Sequence, residues 1–243
     1  MYDICILTTA IIRPKIHILS MNSLKKILKK ETKIYWIINI DFVNTEPKYI
    51  KTENLSENYI ANCLNYTEEN FKNIFKNFKN IDFKFIKNIK GNFNIAVRTL
   101  LNNCVDVIEK IKYGVLYLED DWVVTKNIAC INNYFGSFEK TPNCLGISFN
   151  NNSRIGFKPC LWNNIYFKEI FFNTFIKIKE ENIDPEQLIR DFNKYGFKEE
   201  DLLKNNKFIE KSKYIFFEDI GINWRNSKRL IKWNWCNDVP TYK

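Results

Sequence analysis

The stretch VLYLEDDWVV, residues 115–124, sets Glu119, Asp120 and Asp121 side by side between two runs of strand-forming apolar residues. A second pair of acids, Glu218 and Asp219, interrupts another apolar run in KYIFFEDIGINWRNSKR, residues 213–229. Adjacent carboxylates repel: about 4 Å apart at an effective dielectric near 20, two of them cost roughly 4 kcal/mol. Something positive must therefore meet the triplet. Two readings stand. One is an exposed acidic turn screened by nearby lysines. The other is a site for a hard cation, because Mg2+ is held by one or two carboxylates plus substrate phosphates and Mn2+ accepts similar ligands. Side chains alternate along a strand, so Glu119 and Asp121 are expected on one face and Asp120 on the other.

Other chemistries find little support. No GxxxxGK[ST] and no GxGxxG occurs, which speaks against a P-loop enzyme and a dinucleotide fold; GxSxG and HExxH are also missing. The sole histidine, His17, is expected at a half-buried surface position early in the first helix, and its solitude excludes histidine-rich metal chemistry. The seven cysteines include no CxxC pair, which removes a zinc ribbon and a thioredoxin-like motif. Most sit in apolar stretches as small hydrophobes, and a reducing compartment is the simpler reading. No stretch is long and uncharged enough to cross a bilayer, and the opening MYDICILTTA lacks a basic leader, so a cytoplasmic protein without a transmembrane segment is expected. The net charge of +9 reads equally as the mark of a phosphate-bearing partner and as drift in a Lys-, Asn- and Ile-rich composition.

The elements that must position the acids follow from periodicity. Strands are expected at DICILTT (3–9), KIYWIINID (33–41), DFKFIKN (82–88) and GVLYLED (114–120). Between them, helices are expected at 16–30, with Leu19 on the apolar stripe, at 67–78 from a capping-box-like Thr67–Asn70 turn, and at 93–111 after the Gly91–Asn92 stop. Alternating strands and helices build a mostly parallel sheet, and in such sheets ligands sit beyond the carboxyl ends of the strands. Thr8–Thr9, Asp41 and Glu119–Asp121 all stand at those ends. The second half is less regular: a strand at 144–150, mixed helix and aromatic cover at 162–181, and a capped helix at 184–196. With no repeat and no Pro/Ser linker, residues 1–243 read as one unit.

On these residues the chain resembles the GT-A nucleotide-sugar glycosyltransferases, and is similar to the small members found in large DNA viruses. ICILTTAIIRP, IYWIINID, GNFNIAVRTLL, VLYLEDDW and FFEDIGINWR fall in that fold's order, and the triplet is of the family's EDD/DxD type. The resemblance implies an α/β fold with a mostly parallel central sheet flanked by helices: a Rossmann-like nucleotide half over about 1–122 and an acceptor half over about 123–243. It implies transfer of a sugar, of the hexosyl or deoxyhexosyl class, from a nucleoside-diphosphate sugar, UDP-linked above all, to a hydroxyl of a glycan or glycoprotein, with inversion. By the same resemblance Thr8, Thr9 and Arg13 line the base and diphosphate pocket, Asp41 holds base or ribose, and Arg98 approaches the nucleotide. Asp121, with Glu119, coordinates Mn2+ or Mg2+; Glu119 and Asp120 contact ribose, sugar or metal-bound water. Asp219, with Glu218 second, is the general base, and Arg225 and Lys228 add positive charge. Trp122, Trp162 and Trp224 are candidate sugar-stacking surfaces. The family's C-terminal histidine ligand has no counterpart here.

A metal-dependent nuclease, or another phosphodiester-acting enzyme, is the rival, since acids, cation and basic surface are shared. The lysines, however, are spread over the chain and no acid–x–Lys pattern follows on a second strand, so no nucleic-acid partner is expected. A non-catalytic nucleotide-binding module on the same fold is a third reading.

Overall fold

The computed structural model describes residues 1–43, 56–150, 155–172 and 206–221. Its strands are β1 (Tyr2–Ile11), β2 (Ile34–Val43), β3 (Ile81–Gly91), β4 (Ile111–Glu119), β5 (Trp122–Asn127), β6 (Cys144–Ser148), β7 (Cys160–Asn163), β8 (Phe208–Lys211) and β9 (Ile215–Asp219). The longer helices are α1 (Pro14–Lys25), α2 (Glu57–Ile74) and α3 (Phe93–Val105). Seven strands form one sheet in the order β3-β2-β1-β4-β7-β6-β8. All neighbours are parallel except where β7 runs against β4 and β6. The expected α/β architecture, a mostly parallel sheet flanked by helices, is what the chain adopts.

Alternation along the central strands sends apolar side chains to both faces. On one face Ile6, Trp36, Ile38 and Leu116 pack with Leu24 of α1 and with Phe71 and Phe75 of the α2 segment, all essentially buried. On the other, Leu7, Ile37, Val115 and Tyr117 pack with Val97, Leu100 and Leu101 of α3. Trp36 sits edge-on to Phe71 and Phe75.

Helix ends differ from expectation in instructive ways. α1 begins with Pro14 at its first turn, where a missing N–H costs nothing, and stops at Lys25. Leu19, expected on its apolar stripe, is 60% exposed. α2 starts at Glu57, ten residues before Thr67, capped by Ser56, whose hydroxyl accepts from Tyr59 N–H. Thr67 is no cap: it is buried mid-helix and its hydroxyl donates to the Cys63 carbonyl. α3 begins where Asn92 accepts from Ile95 N–H at 2.8 Å, as the stop signal predicts. It ends at Val105 because a short tight turn, Ile108–Lys110, feeds β4. The helix expected at 184–196 lies outside the described residues. Among the described residues no helix is long and apolar enough to cross a membrane.

β5 belongs to none of this. It pairs antiparallel with β9 in a separate two-stranded ribbon, Trp122 facing Asp219 and Val123 facing Glu218. That ribbon is what positions the site.

Candidate functional site at the acid turn

The positive group that meets the triplet is Arg13. β4 ends at Glu119, and Asp120–Asp121 make the turn into β5, so strand alternation stops there. Instead of pointing to opposite faces, both aspartates converge on the guanidinium that follows β1. Arg13 Nη2 donates to Asp120 Oδ1, and Nη1 donates to Asp121 Oδ2 at 3.1 Å. All three side chains are buried, with relative exposures of 1–3%. Asp120 is further tied to the end of β1: its N–H donates to the Thr9 carbonyl at 3.0 Å, and its Oδ2 accepts from Ile11 N–H at 3.3 Å. Burial opposes the charge on Arg13, but the two carboxylates outweigh it and hold the guanidinium above its ordinary range. Burial pushes Asp120 up to about 6, against the pull of Arg13 and with the push of Asp121. One guanidinium serving two buried acids leaves one negative charge over.

The second acidic motif arrives at the same place. The β5–β9 register sets Asp219 beside Trp122, the residue after the turn. Ile220 N–H donates to the Asp121 carbonyl at 3.0 Å, and Asp219 Oδ1 accepts from Gly221 N–H at 2.8 Å. Gly221 explains how closely the two motifs meet. A Cβ there would stand 2.0 Å from Asp121 Oδ2 and 3.1 Å from Asp219 Oδ1, so only glycine fits between them. Asp219 is half-buried on the inner side, while Glu218 alternates outward and is exposed.

A separate polar layer lies at the carboxyl ends of β2 and β3. Asp41 is 2% exposed and accepts from Asn39 Nδ2 at 2.7 Å and from Asn88 Nδ2 at 2.8 Å. Asn88 also donates to Asn39 Oδ1 at 3.0 Å. No cation is among these contacts, and burial pushes the Asp41 carboxyl up to about 6 despite the two amides. Asn39, Asn88 and Gly221 are the residues that sequence reasoning missed. Asn39 was within reach of it, since it stands two positions before Asp41 on the same strand face.

The remaining candidates divide. Thr8 is fully buried and its hydroxyl accepts from the Trp36 indole at 2.9 Å, so it braces the sheet instead of lining a pocket. Thr9 lies in register with both Asn39 and Glu119, on the face covered by α3, and its hydroxyl is 3.3 Å from that of Tyr117. Arg98, on α3, is half-buried and donates from Nε to Asn94 Oδ1 at 2.9 Å. His17 is not at the surface: it is fully buried, its ring centroid 4.0 Å from that of Phe71, and neither ring nitrogen has a hydrogen-bond partner. Burial, helped by Arg13, lowers it to about 3, so it is a neutral core residue. Trp162 is 1% exposed and belongs to the core, which removes it as a sugar-stacking surface; Trp122 is half-buried. Trp224, Arg225 and Lys228 lie outside the described residues.

Does the turn fit a divalent cation? Asp121 Oδ1 is buried and has no hydrogen-bond partner, so it is the one carboxylate oxygen of the two aspartates open to a further ligand. Among the described residues, no three of His, Cys, Asp and Glu cluster to enclose a metal ion. What the turn offers a cation is one carboxylate oxygen, and phosphates and water would have to supply the rest of an Mg2+ or Mn2+ shell.

Fold and site together define an α/β protein with a buried acid–arginine turn at the carboxyl ends of a mostly parallel sheet. No protein-family model and no curated protein matches the chain. Among solved structures it is similar to the apo form of the bifunctional glycosyltransferase WbbM, at 10% identity and a TM-score of 0.32, over 80% of this chain and 34% of that one. It is also similar to apo mouse xyloside xylosyltransferase 1, at 10% identity and a TM-score of 0.36, over 86% and 85% of the two chains. The chain thus spans about a third of the WbbM chain.

Proposed function

We propose that the chain is a GT-A-type glycosyltransferase that moves a sugar from a nucleoside-diphosphate sugar to an acceptor hydroxyl. One observation carries the reading: two acidic motifs far apart in sequence meet across Gly221 beside the carboxyl ends of the parallel strands. That is the arrangement a donor site and an acceptor base require, since the attacking hydroxyl and the leaving diphosphate act on one anomeric carbon. Asp219 is the general base. Its Oδ1 accepts from Gly221 N–H, which orients the carboxylate, and a general base needs a carboxylate held within reach of the acceptor hydroxyl. Glu218, exposed on the other side of β9, is the second choice and suits acceptor binding. Asp41, held by Asn39 and Asn88, offers a carboxylate to N–H or O–H groups of the nucleoside, a pattern that suits uracil or ribose. Asp121 Oδ1 would hold Mn2+ or Mg2+, which supplies charge neutralisation at the departing diphosphate. Inversion follows if Asp219 activates the acceptor directly.

The test is thermal unfolding against nucleotides and sugar nucleotides with Mn2+, followed by a transfer assay on whichever donor binds. A donor at a hundred times its Kd stabilises by about 2.7 kcal/mol. Asp219→Asn should keep that shift and lose turnover, and Asp121→Asn should lose both. No shift with any nucleotide, or full transfer by Asp219→Asn, would sink the assignment.

A further inference from the structure

We propose that Arg13 makes cation binding at Asp121 conditional on phosphate: the chain takes up a divalent ion only together with a diphosphate, not alone. The inference rests on reading the turn as the place of a diphosphate and its cation, and it adds how that place is kept closed to free metal.

The oxygens at the turn are already spoken for. Of the four carboxylate oxygens on Asp120 and Asp121, Arg13 takes one from each and Ile11 N–H takes the second of Asp120. Asp121 Oδ1 alone is left without a hydrogen-bond partner. A divalent ion at that oxygen would have a guanidinium on the same carboxylate as its immediate charged neighbour. The charges point the same way. Two acids and one arginine sum to one negative charge, so an ion of charge two would turn a buried centre net positive. Burying an uncompensated charge is costly, and the ion would have to give up water for a single protein oxygen. A diphosphate removes both objections, because it brings negative charge and further oxygen ligands.

Arg13 is also held where it stands. It is 3% exposed, its carbonyl accepts from His17 N–H at 2.9 Å in the first turn of α1, and Pro14 restricts the backbone that follows. For its guanidinium to swing into solvent it would have to leave both carboxylates.

Thermal unfolding of the full chain with Mn2+ alone, inorganic pyrophosphate alone, and both together tests this. The variant Arg13→Met, which leaves two negative charges for a divalent ion to neutralise, is run alongside. Wild type should ignore Mn2+ alone and rise by roughly 5–10 °C with Mn2+ and pyrophosphate together near a hundred times Kd. The Arg13→Met variant should respond to Mn2+ alone, with an affinity on the order of tenfold or more above wild type. A wild-type shift with Mn2+ alone overturns the proposal. So does no shift with both, an equal shift with pyrophosphate alone, or a folded Arg13→Met variant blind to Mn2+. Should that variant fail to fold, the wild-type arms decide. Pyrophosphate carries neither nucleoside nor sugar, so failure of the transferase reading and failure of this inference are separate results.

Discussion

Several single residues carry an energetic cost in the folded chain. Asp41 is the clearest. A carboxyl that ionises near 3.8 in a flexible chain is pushed up to about 6 by burial, with two amides as its hydrogen-bond partners. The native state therefore binds more protons than the unfolded chain between those values. Stability from this group is fully present below about pH 4 and is lost as pH rises through about 6; at pH 7 the penalty is about 3 kcal/mol. Asp41→Asn keeps an oxygen for both amides and sheds the charge. Chemical denaturation should find it more stable than wild type by up to that amount at pH 7, with the gap closing towards pH 4. A variant equal to wild type at pH 7 would show that the buried carboxylate is compensated by something else. If Asp41 meets the nucleoside, the same variant should bind donor more weakly, so one substitution separates stability from use.

At the scale of elements, the β5–β9 ribbon converts two motifs into one site, and Gly221 is its tightest point. Gly221→Ala sets a methyl group 2.0 Å from Asp121 Oδ2 and 3.1 Å from Asp219 Oδ1. Neither neighbour yields easily: Asp121 is held by Arg13, and Asp219 by the N–H of residue 221 itself. Overpacking of this kind costs about 1–3 kcal/mol. On the proposed function its mark should reach both motifs: turnover should fall as Asp219 is displaced, and Mn2+-dependent donor binding should fall as Asp121 is. Loss of turnover with donor binding intact would mean that Asp121 keeps its place and Asp219 alone has moved. The ribbon was not legible beforehand. The WVV and IFFED runs each read as strand-like, but nothing local says that they pair with each other and not with the main sheet.

For the whole molecule, the sheet predicts a gradient of local stability. β1, β2 and β4 are interior strands buried on both faces, whereas the two-stranded ribbon has far less support. Amide exchange followed by mass spectrometry should be slowest in β1, β2 and β4 and markedly faster in β5 and β9; equal protection would mean that the ribbon shares the global unfolding unit. The slow part is also the part that the sequence makes readable. Continuous runs such as CILTT and YWIINI announce strands buried on both faces, and Asn92 announces the start of α3. Local signals fail where tertiary packing overrides them. Leu19 looks apolar and lies in solvent, His17 looks polar and lies in the core, and Thr67 looks like a cap but sits a helix-half too late. The acids were legible as a problem of charge. Their solution was less so, because Arg13 and Asp120–Asp121 meet only once β1 and β4 lie side by side.

The pairing of Arg13 with the turn also has a meaning in time. Arg13, Asp120 and Asp121 all leave the ribosome within the first half of the chain, and Asp219 follows roughly a hundred residues later; at about 5–20 residues per second that is a wait of roughly 5–20 s. During that interval the nascent β1–β4 region would hold two adjacent acids with no second motif to cover them. The guanidinium gives them a companion from the start, so the growing chain need not borrow one from its surroundings.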